Sequence, residues 1–259
     1  SRQKHEGETV RTTGLDFGTS TTLVARERGA GSVEVISLGT STTWLPSVAA
    51  PDGTGHILVG ETAERSTDAI RSIKTRITNN QSTVTVQTAD GAQEFDADLI
   101  ATSIIKEAVR RTLAVDPTFD FSGLRVGCPA EWERHQRVRL QAILRNAGVD
   151  VALADILDEP VAAAIAWIDQ RQRSEGPPSE SKSRLVVFDY GGGTLDIAVC
   201  EITWKDHHPE ITVLSCDGVT DAGDVLDNAL VEHMRLRLGM EPHELEEGIS
   251  LAAIQLAVR

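Results

Sequence analysis

The sequence predicts an α/β fold, and three observations carry that prediction. Short runs of β-branched and apolar residues are interspersed with longer segments of helical period. One pattern, strand–Asp–Gly/Thr turn–strand, occurs twice: Gly14-Leu15-Asp16-Phe17-Gly18-Thr19 is echoed by Asp189-Tyr190-Gly191-Gly192-Gly193-Thr194. The 259 residues are 40% hydrophobic and 25% charged, globular usage with length for one large domain or two modest ones. That usage excludes a collagen-like, disulfide-scaffold or disordered chain.

Taken in order, residues 11–17 and 20–28 read as a hairpin bent at Gly18-Thr19, with 32–38 as a third strand. Residues 45–60 mix Pro and Gly with short apolar runs and suit loops with short strands. A short helix is expected from about Ala63 to Arg76. Residues 83–88 alternate like a small exposed strand before a turn at Asp90-Gly91. Leu99, Ile100, Ile104, Ile105, Ala108, Val109 and Leu113 form a helical stripe opposite Lys106, Glu107, Arg110 and Arg111.

Residues 124–128 form a short buried strand ended by Pro129. A helix follows from about Glu131 to Asn146, stopped by Ala147-Gly148. Another short strand fits within 151–157. Pro160 opens a helix to about Ile168, and the polar stretch 169–184 reads as a solvated loop. Residues 185–189 suit a buried strand, 195–202 and 210–216 two more. Helices are expected at about Asp224 to Leu238 and Ser250 to Arg259.

Charge narrows the partners. Against 39 Asp+Glu stand 25 Lys+Arg, a formal net charge of -14, which argues against duplex nucleic acid and anionic membranes. No apolar run approaches the ~20 residues of a membrane helix. The first residues carry no export signal, and the absent initiator Met suggests a piece of a longer protein. Cys128, Cys200 and Cys216 are far apart without a CxxC pair, which suits buried small apolar residues in a reducing cytoplasm.

The echoed turns carry the chemistry. Glycines let a backbone approach a ligand closely. Successive N–H groups make an anion nest, to which Thr19 and Thr194 add hydroxyls. Asp16 and Asp189 supply hard oxygens for Mg²⁺, directly or through water. Two such turns facing each other would hold a polyphosphate and its metal. Asp158-Glu159-Pro160 adds an acid at the start of an Ala-rich helix.

The segments GLDFGTSTTLVA (Gly14–Ala25), DEPVAAAIAW (Asp158–Trp167) and VFDYGGGTLDIA (Val187–Ala198) resemble the first phosphate, connecting and second phosphate motifs of the actin-like ATPase superfamily. They are most similar to its heat-shock-protein-70 (DnaK-type chaperone) branch. Leu45-Pro46-Ser47-Val48, Val59-Gly60-Glu61-Thr62-Ala63, Ser72-Ile73-Lys74-Thr75-Arg76, Cys128-Pro129-Ala130 with Gln136-Arg137, and DGVTDAGDVLDN (Asp217–Asn228) resemble further family segments in order.

The resemblance implies an actin-like (ribonuclease-H-like) fold with a complete lobe I and a partial lobe II. Residues 1–7 would be disordered and 8–180 would be lobe I, with a small insertion at about 43–123. Residues 184–259 would be partial lobe II, ending in the start of a helical subdomain. It implies ATP or ADP with Mg²⁺ as cofactors. Asp16, Glu159 and Asp189 would hold the metal through water. Gly18, Thr19, Ser20 and Thr21 would form one phosphate turn, and Gly191, Gly192, Gly193 and Thr194 the other, with Gly223 beside it. Lys74 would meet the γ-phosphate and attacking water, Glu159 would order the metal's waters, Asp189 would hold metal-bound water or act as base, and Asp196 would orient water.

The implied function is a Mg-dependent ATP-binding and hydrolysing domain of a cytoplasmic chaperone-like protein, its lobe closure regulating client binding. Clients and co-chaperones would meet parts outside this sequence. Ala222 stands where the family has Gly and is expected to disturb a turn needing positive φ. Cys128 replaces a Val, and 169–184 is longer and more polar than in typical members. The family's adenosine motif does not occur here, so weak ATP affinity and impaired hydrolysis are expected unless a longer parent supplies it. Two alternatives stay open: a non-chaperone relative (filament former or kinase), and a degenerate nucleotide-binding module without hydrolysis.

Overall fold

The computed structural model describes residues 12–29, 32–88, 91–176, 182–205, 208–220 and 222–239. The expectations for 1–7 and for a helix at 250–259 lie outside them.

The architecture is mixed α/β, as the sequence predicts. Strands β1 (Thr13–Phe17), β2 (Thr21–Arg28) and β3 (Ser32–Val35) form an antiparallel meander. Two short pairs follow, β4 (Leu45–Pro46) against β2, and β5 (Ala49–Pro51) against β6 (Ile57–Val59). Helices α1 (Glu61–Glu64) and α2 (Ile73–Thr78) precede the hairpin β7 (Thr83–Thr88) and β8 (Gly91–Asp96). Helix α3 (Ala97–Val115) leads to β9 (Leu124–Cys128), α4 (Arg134–Asn146) and β10 (Ile156–Asp158). Strands β9 and β10 add in parallel beside β1, giving the order β10-β9-β1-β2-β3 with β4 on β2. Helix α5 (Glu159–Glu175) then leads to a separate antiparallel sheet, β11 (Lys182–Tyr190), β12 (Leu195–Lys205) and β13 (His208–Val219), followed by α6 (Gly223–Leu238).

The main core lies under the first sheet. Leu15, Phe17 and Val24 meet Ile100, Ile104 and Ile105 of α3 and Leu140, Ile143 and Leu144 of α4 there. Alternation along β1 sends Thr13, Leu15 and Phe17 into this core and leaves Gly14 and Asp16 on the opposite face.

Several expectations are corrected. The single helix at 63–76 is two short ones. Between them, Ile70 exchanges both backbone hydrogen bonds with Ala49 (2.6 and 3.1 Å), which draws the chain out straight. Helix α4 starts at Arg134 rather than Glu131, after a turn in which Trp132 N–H bonds Pro129 O at 3.1 Å. The third strand ends at Val35, and the hairpin partner β8 carries no apolar alternation that would announce it. Leu99 and Leu113 of the expected α3 stripe are exposed, while Arg111 on the expected polar face is drawn inward by Glu61.

Residues 169–175 continue α5 rather than forming a loop. They bury almost nothing, but Asp169–Arg173 (2.8 Å) and Arg171–Glu175 (2.9 Å) pair at i,i+4, and Arg171 lies 5.1 Å over the Trp167 ring. Strand β11 is not buried. Leu185 and Val187 pack toward Ala164 of α5, whereas Val186, Phe188 and Tyr190 face solvent. Cys128 and Cys200 are buried as expected, and burial pushes the Cys128 thiol up to about 12. Cys216 is exposed, contrary to expectation. Among the described residues no helix is long and apolar enough to cross a membrane.

Candidate functional site

The two echoed turns have the same internal hydrogen bond. Gly18 N–H donates to Thr21 O, and Gly191 N–H donates to Thr194 O, each at 2.9 Å. Each turn joins an antiparallel pair with Asp one residue before the strand end: Asp16 lies opposite Leu23, Asp189 opposite Asp196. The turns also touch. A Cβ on Gly192 would lie 2.6 Å from Ser20 Oγ, and one on Gly193 would lie 2.5 Å from Thr75 Oγ1 and 2.8 Å from Thr19 Oγ1. Glycine permits that close approach; a Cβ at either position would force the facing hydroxyls to move. Among the described residues no acceptor takes the N–H of Thr19, Ser20, Gly192 or Gly193, which leaves a nest of donors for an anion.

Both turns open on one cavity of about 640 Å³. Asp16, Gly18, Thr19, Ser20, Thr21, Lys74, Glu159, Asp189, Gly191, Gly192 and Thr194, all sequence-predicted, line it. Apart from Arg125, its remaining wall is apolar, and includes Leu23, Ala25 and Val35 of the first sheet and Ala162, Ala163 and Ala166 of α5.

Lys74 is the cation nearest these acids, 4% exposed, and its Nζ donates to Glu159 Oε1. Burial alone would lower the Lys74 pKa; Glu159 and Asp16 outweigh it and hold the ammonium above its usual range. Asp16 is open to cavity water but ringed by protein. That burial pushes its carboxyl up, Lys74 pulls it down, and Glu159 and Asp189 add to the rise. Burial likewise raises Asp189, helped by Glu159 and Asp196. Three carboxylates thus gather around one ammonium. The cavity's other cation, Arg125, is paired with Asp155.

The scaffold explains the placement. A Cβ on Gly127 of β9 would come 3.1 Å from Glu159 Cγ, so Gly127 lets α5 start against the sheet. Helix α4 tethers both neighbours of the site. Its Gln136 donates to Thr78 O (2.8 Å) at the end of α2, and its Arg137 pairs with Asp158 just before Glu159. Trp132 Nε1 donates to Thr78 Oγ1 at 3.0 Å. The sequence points to Gln136-Arg137 but not to these tethers, since their partners lie 58 and 21 positions away.

Three predicted site residues lie outside the cavity lining. Gly193 packs on Thr19 and Thr75. Gly223 donates to Gly191 O at 3.1 Å and so supports the turn from behind. Asp196 is 1% exposed, takes the N–H of Ala130 at 3.2 Å, and is raised by burial against the opposing Thr194 hydrogen bond. The positive φ expected at Ala222 does not occur: its φ is -134°.

Magnesium fits this donor set only through water. Among the described residues no three His, Cys, Asp or Glu side chains converge as direct ligands. Asp16, Glu159 and Asp189 do share the cavity, and their excess negative charge matches a hydrated divalent cation.

The Hsp70 protein family model matches residues 12–246. The chain is similar to the chaperone protein DnaK of Thermosipho melanesiensis, with 30% identity covering 73% of this chain and 30% of that protein. It is 27% identical to the DnaK of Stenotrophomonas maltophilia, covering 95% of this chain and 40% of that one. For the DnaK of Thermotoga petrophila the figures are 29%, 92% and 37%. The chain thus spans well under half the length of the curated relatives it matches.

Proposed function

The chain belongs to the Hsp70 family, and on that premise we propose that it is the Mg·ATP-binding part of a cytoplasmic chaperone's nucleotide-binding domain. The observation that carries this reading is the facing of two identically bonded Gly turns across a cavity that also holds Asp16, Lys74, Glu159 and Asp189. The free N–H groups of Thr19, Ser20 and Gly192, which line the cavity, bind the phosphate oxygens. Asp16, Glu159 and Asp189 hold the metal's water shell. When bound, Mg²⁺ neutralises phosphate charge, without which three carboxylates would repel the nucleotide.

Lys74 sits where it can turn from Glu159 to a terminal phosphate oxygen and stabilise charge there as the bond to the leaving group lengthens. Asp189 takes the proton of the attacking water, directly or through a second water. Asp196 acts from behind, fixing the strand that carries the second turn to the 129–131 loop. Hydrolysis then loosens the hold between the turns, and the two sheets move apart; in the whole protein this motion is read by a client-binding part and by co-chaperones. The intact set Asp16, Lys74, Glu159 and Asp189 favours this over a module that has lost hydrolysis.

Thermal denaturation with ATP, ADP and pyrophosphate, each with Mg²⁺ or with EDTA, tests the reading. Stabilisation that requires Mg²⁺ supports it. Equal melting under all conditions contradicts it.

A further inference from the structure

Ser72 and Asp224 stand 152 positions apart, and the Ser72 hydroxyl donates to Asp224 Oδ2. Each begins a helix at the site. Ser72 is the N-terminal cap of α2, two residues before Lys74, and holds a left-handed backbone (φ 54°, ψ 36°) that L side chains adopt reluctantly. Asp224 is the second residue of α6. The first two N–H groups of that helix grip the second turn, Gly223 on Gly191 O at 3.1 Å and Asp224 on Gly192 O at 2.7 Å. This side-chain contact therefore joins the start of the lysine's helix to the turn, beside the packing of Gly193 on Thr75 within the same helix.

Helix α2 has six residues and cannot hold its own position in water. Its C-terminal end is anchored through Thr78 to Gln136 of α4 and to Trp132 in the turn before it. Its N-terminal end, where Lys74 lies, meets Asp224. We propose that Asp224 is a positioning residue for Lys74, acting through Ser72 to fix the lysine's helix to the Gly191–Thr194 turn. The consequence for phosphoryl transfer rests on the function proposed above; the tie itself does not. A phosphate held by the turn meets Lys74 at a set distance, and displacement of the turn carries the lysine with it.

The test uses amide hydrogen exchange on the whole chain without nucleotide, for wild type, Ser72→Gly, Asp224→Ala, Asp224→Asn and the double variant Ser72→Gly/Asp224→Ala. Glycine keeps the left-handed backbone at no steric cost and removes the hydroxymethyl group that carries the contact. Asparagine keeps an acceptor. Exchange across 73–78 is expected to rise about tenfold in Ser72→Gly and in Asp224→Ala, to rise no further in the double variant, and to stay near wild type in Asp224→Asn. Unchanged exchange in 73–78, or single effects that multiply in the double variant, would overturn the tie.

A second arm measures ATP turnover. A fall of about tenfold in kcat with KM held within threefold supports positioning. A change in KM alone overturns it. If the wild type neither binds nor turns over Mg·ATP, the functional reading fails, while the exchange arm still decides the tie.

Discussion

The hairpins around Gly18 and Gly191 close on the same 2.9 Å hydrogen bond, yet they stand on different foundations. Behind the first, Phe17 is 1% exposed within a core shared with α3 and α4. Behind the second, Phe188 is 63% exposed, and among the described residues the buried cluster there is small, formed by Ala164, Ala198 and Cys200. The turn geometry comes from local glycine and Asp chemistry. The rigidity of the turn comes from what its strands pack on. One wall of the cavity thus stands on a deep core; the other rests, among the described residues, on the packing of Leu185 and Val187 toward α5, the Asp196–Ala130 hydrogen bond and the α6 contacts to Gly191 and Ser72.

The sharpest way to break that comparison is to remove the two phenylalanines. Phe17→Ala empties a packed site and is expected to cost about 3–5 kcal/mol in chemical denaturation. Phe188→Ala should cost less than about 1 kcal/mol, since its ring is mostly in water. Equal losses would show the second sheet to be as firmly packed as the first.

The turns differ in tolerance too. A Cβ on Gly18 would lie 2.6 Å from Thr21 O, a backbone atom that cannot step aside; on Gly191 the equivalent contact, to Thr194 O, is 3.2 Å. Gly18→Ala should cost about 1–3 kcal/mol and Gly191→Ala less than about 1 kcal/mol, read from denaturation midpoints. A reversed order would contradict the rigid-first, yielding-second account.

The smallest expected effect concerns the paired acids. Asp16 and Asp189 hold protons to higher pH in the folded chain than their ordinary 3.8. As carboxylates they disfavour the fold above that raised range, and the effect vanishes below 3.8, where both states are protonated. Asp16→Asn and Asp189→Asn should therefore each raise the Tm by about 2 °C at pH 7. The gain should shrink as pH falls toward 3.8. Both substitutions should abolish Mg²⁺-dependent stabilisation by ATP. A Tm gain that persists at low pH would assign the effect to packing instead.

How much of this was legible in the sequence follows from range. Asp16, Gly18 and Thr19, or Asp189 and Gly191, announce themselves because a few adjacent residues make the whole turn. Glu159 stands out as an acid before a Pro-started helix, whereas Lys74 is found only through the family resemblance, and their ion pair spans 85 positions that no periodicity links. The tethers were invisible: nothing near Ser72 points to Asp224, and nothing near Gln136 points to Thr78. The 169–175 helix was missed because apolar periodicity is blind to helices held by i,i+4 ion pairs. The exposed face of β11 was missed because an apolar run does not say which side is covered.

The most direct test of the central claim, that both turns bind one Mg²⁺-bridged nucleotide beside Lys74, is titration calorimetry of Mg·ATP into the wild type and Lys74→Ala. The account predicts saturable binding that disappears with EDTA and weakens at least about tenfold in the variant, a loss of roughly 1.4 kcal/mol or more. Binding that ignores both Mg²⁺ and Lys74, or no binding at all, would contradict it.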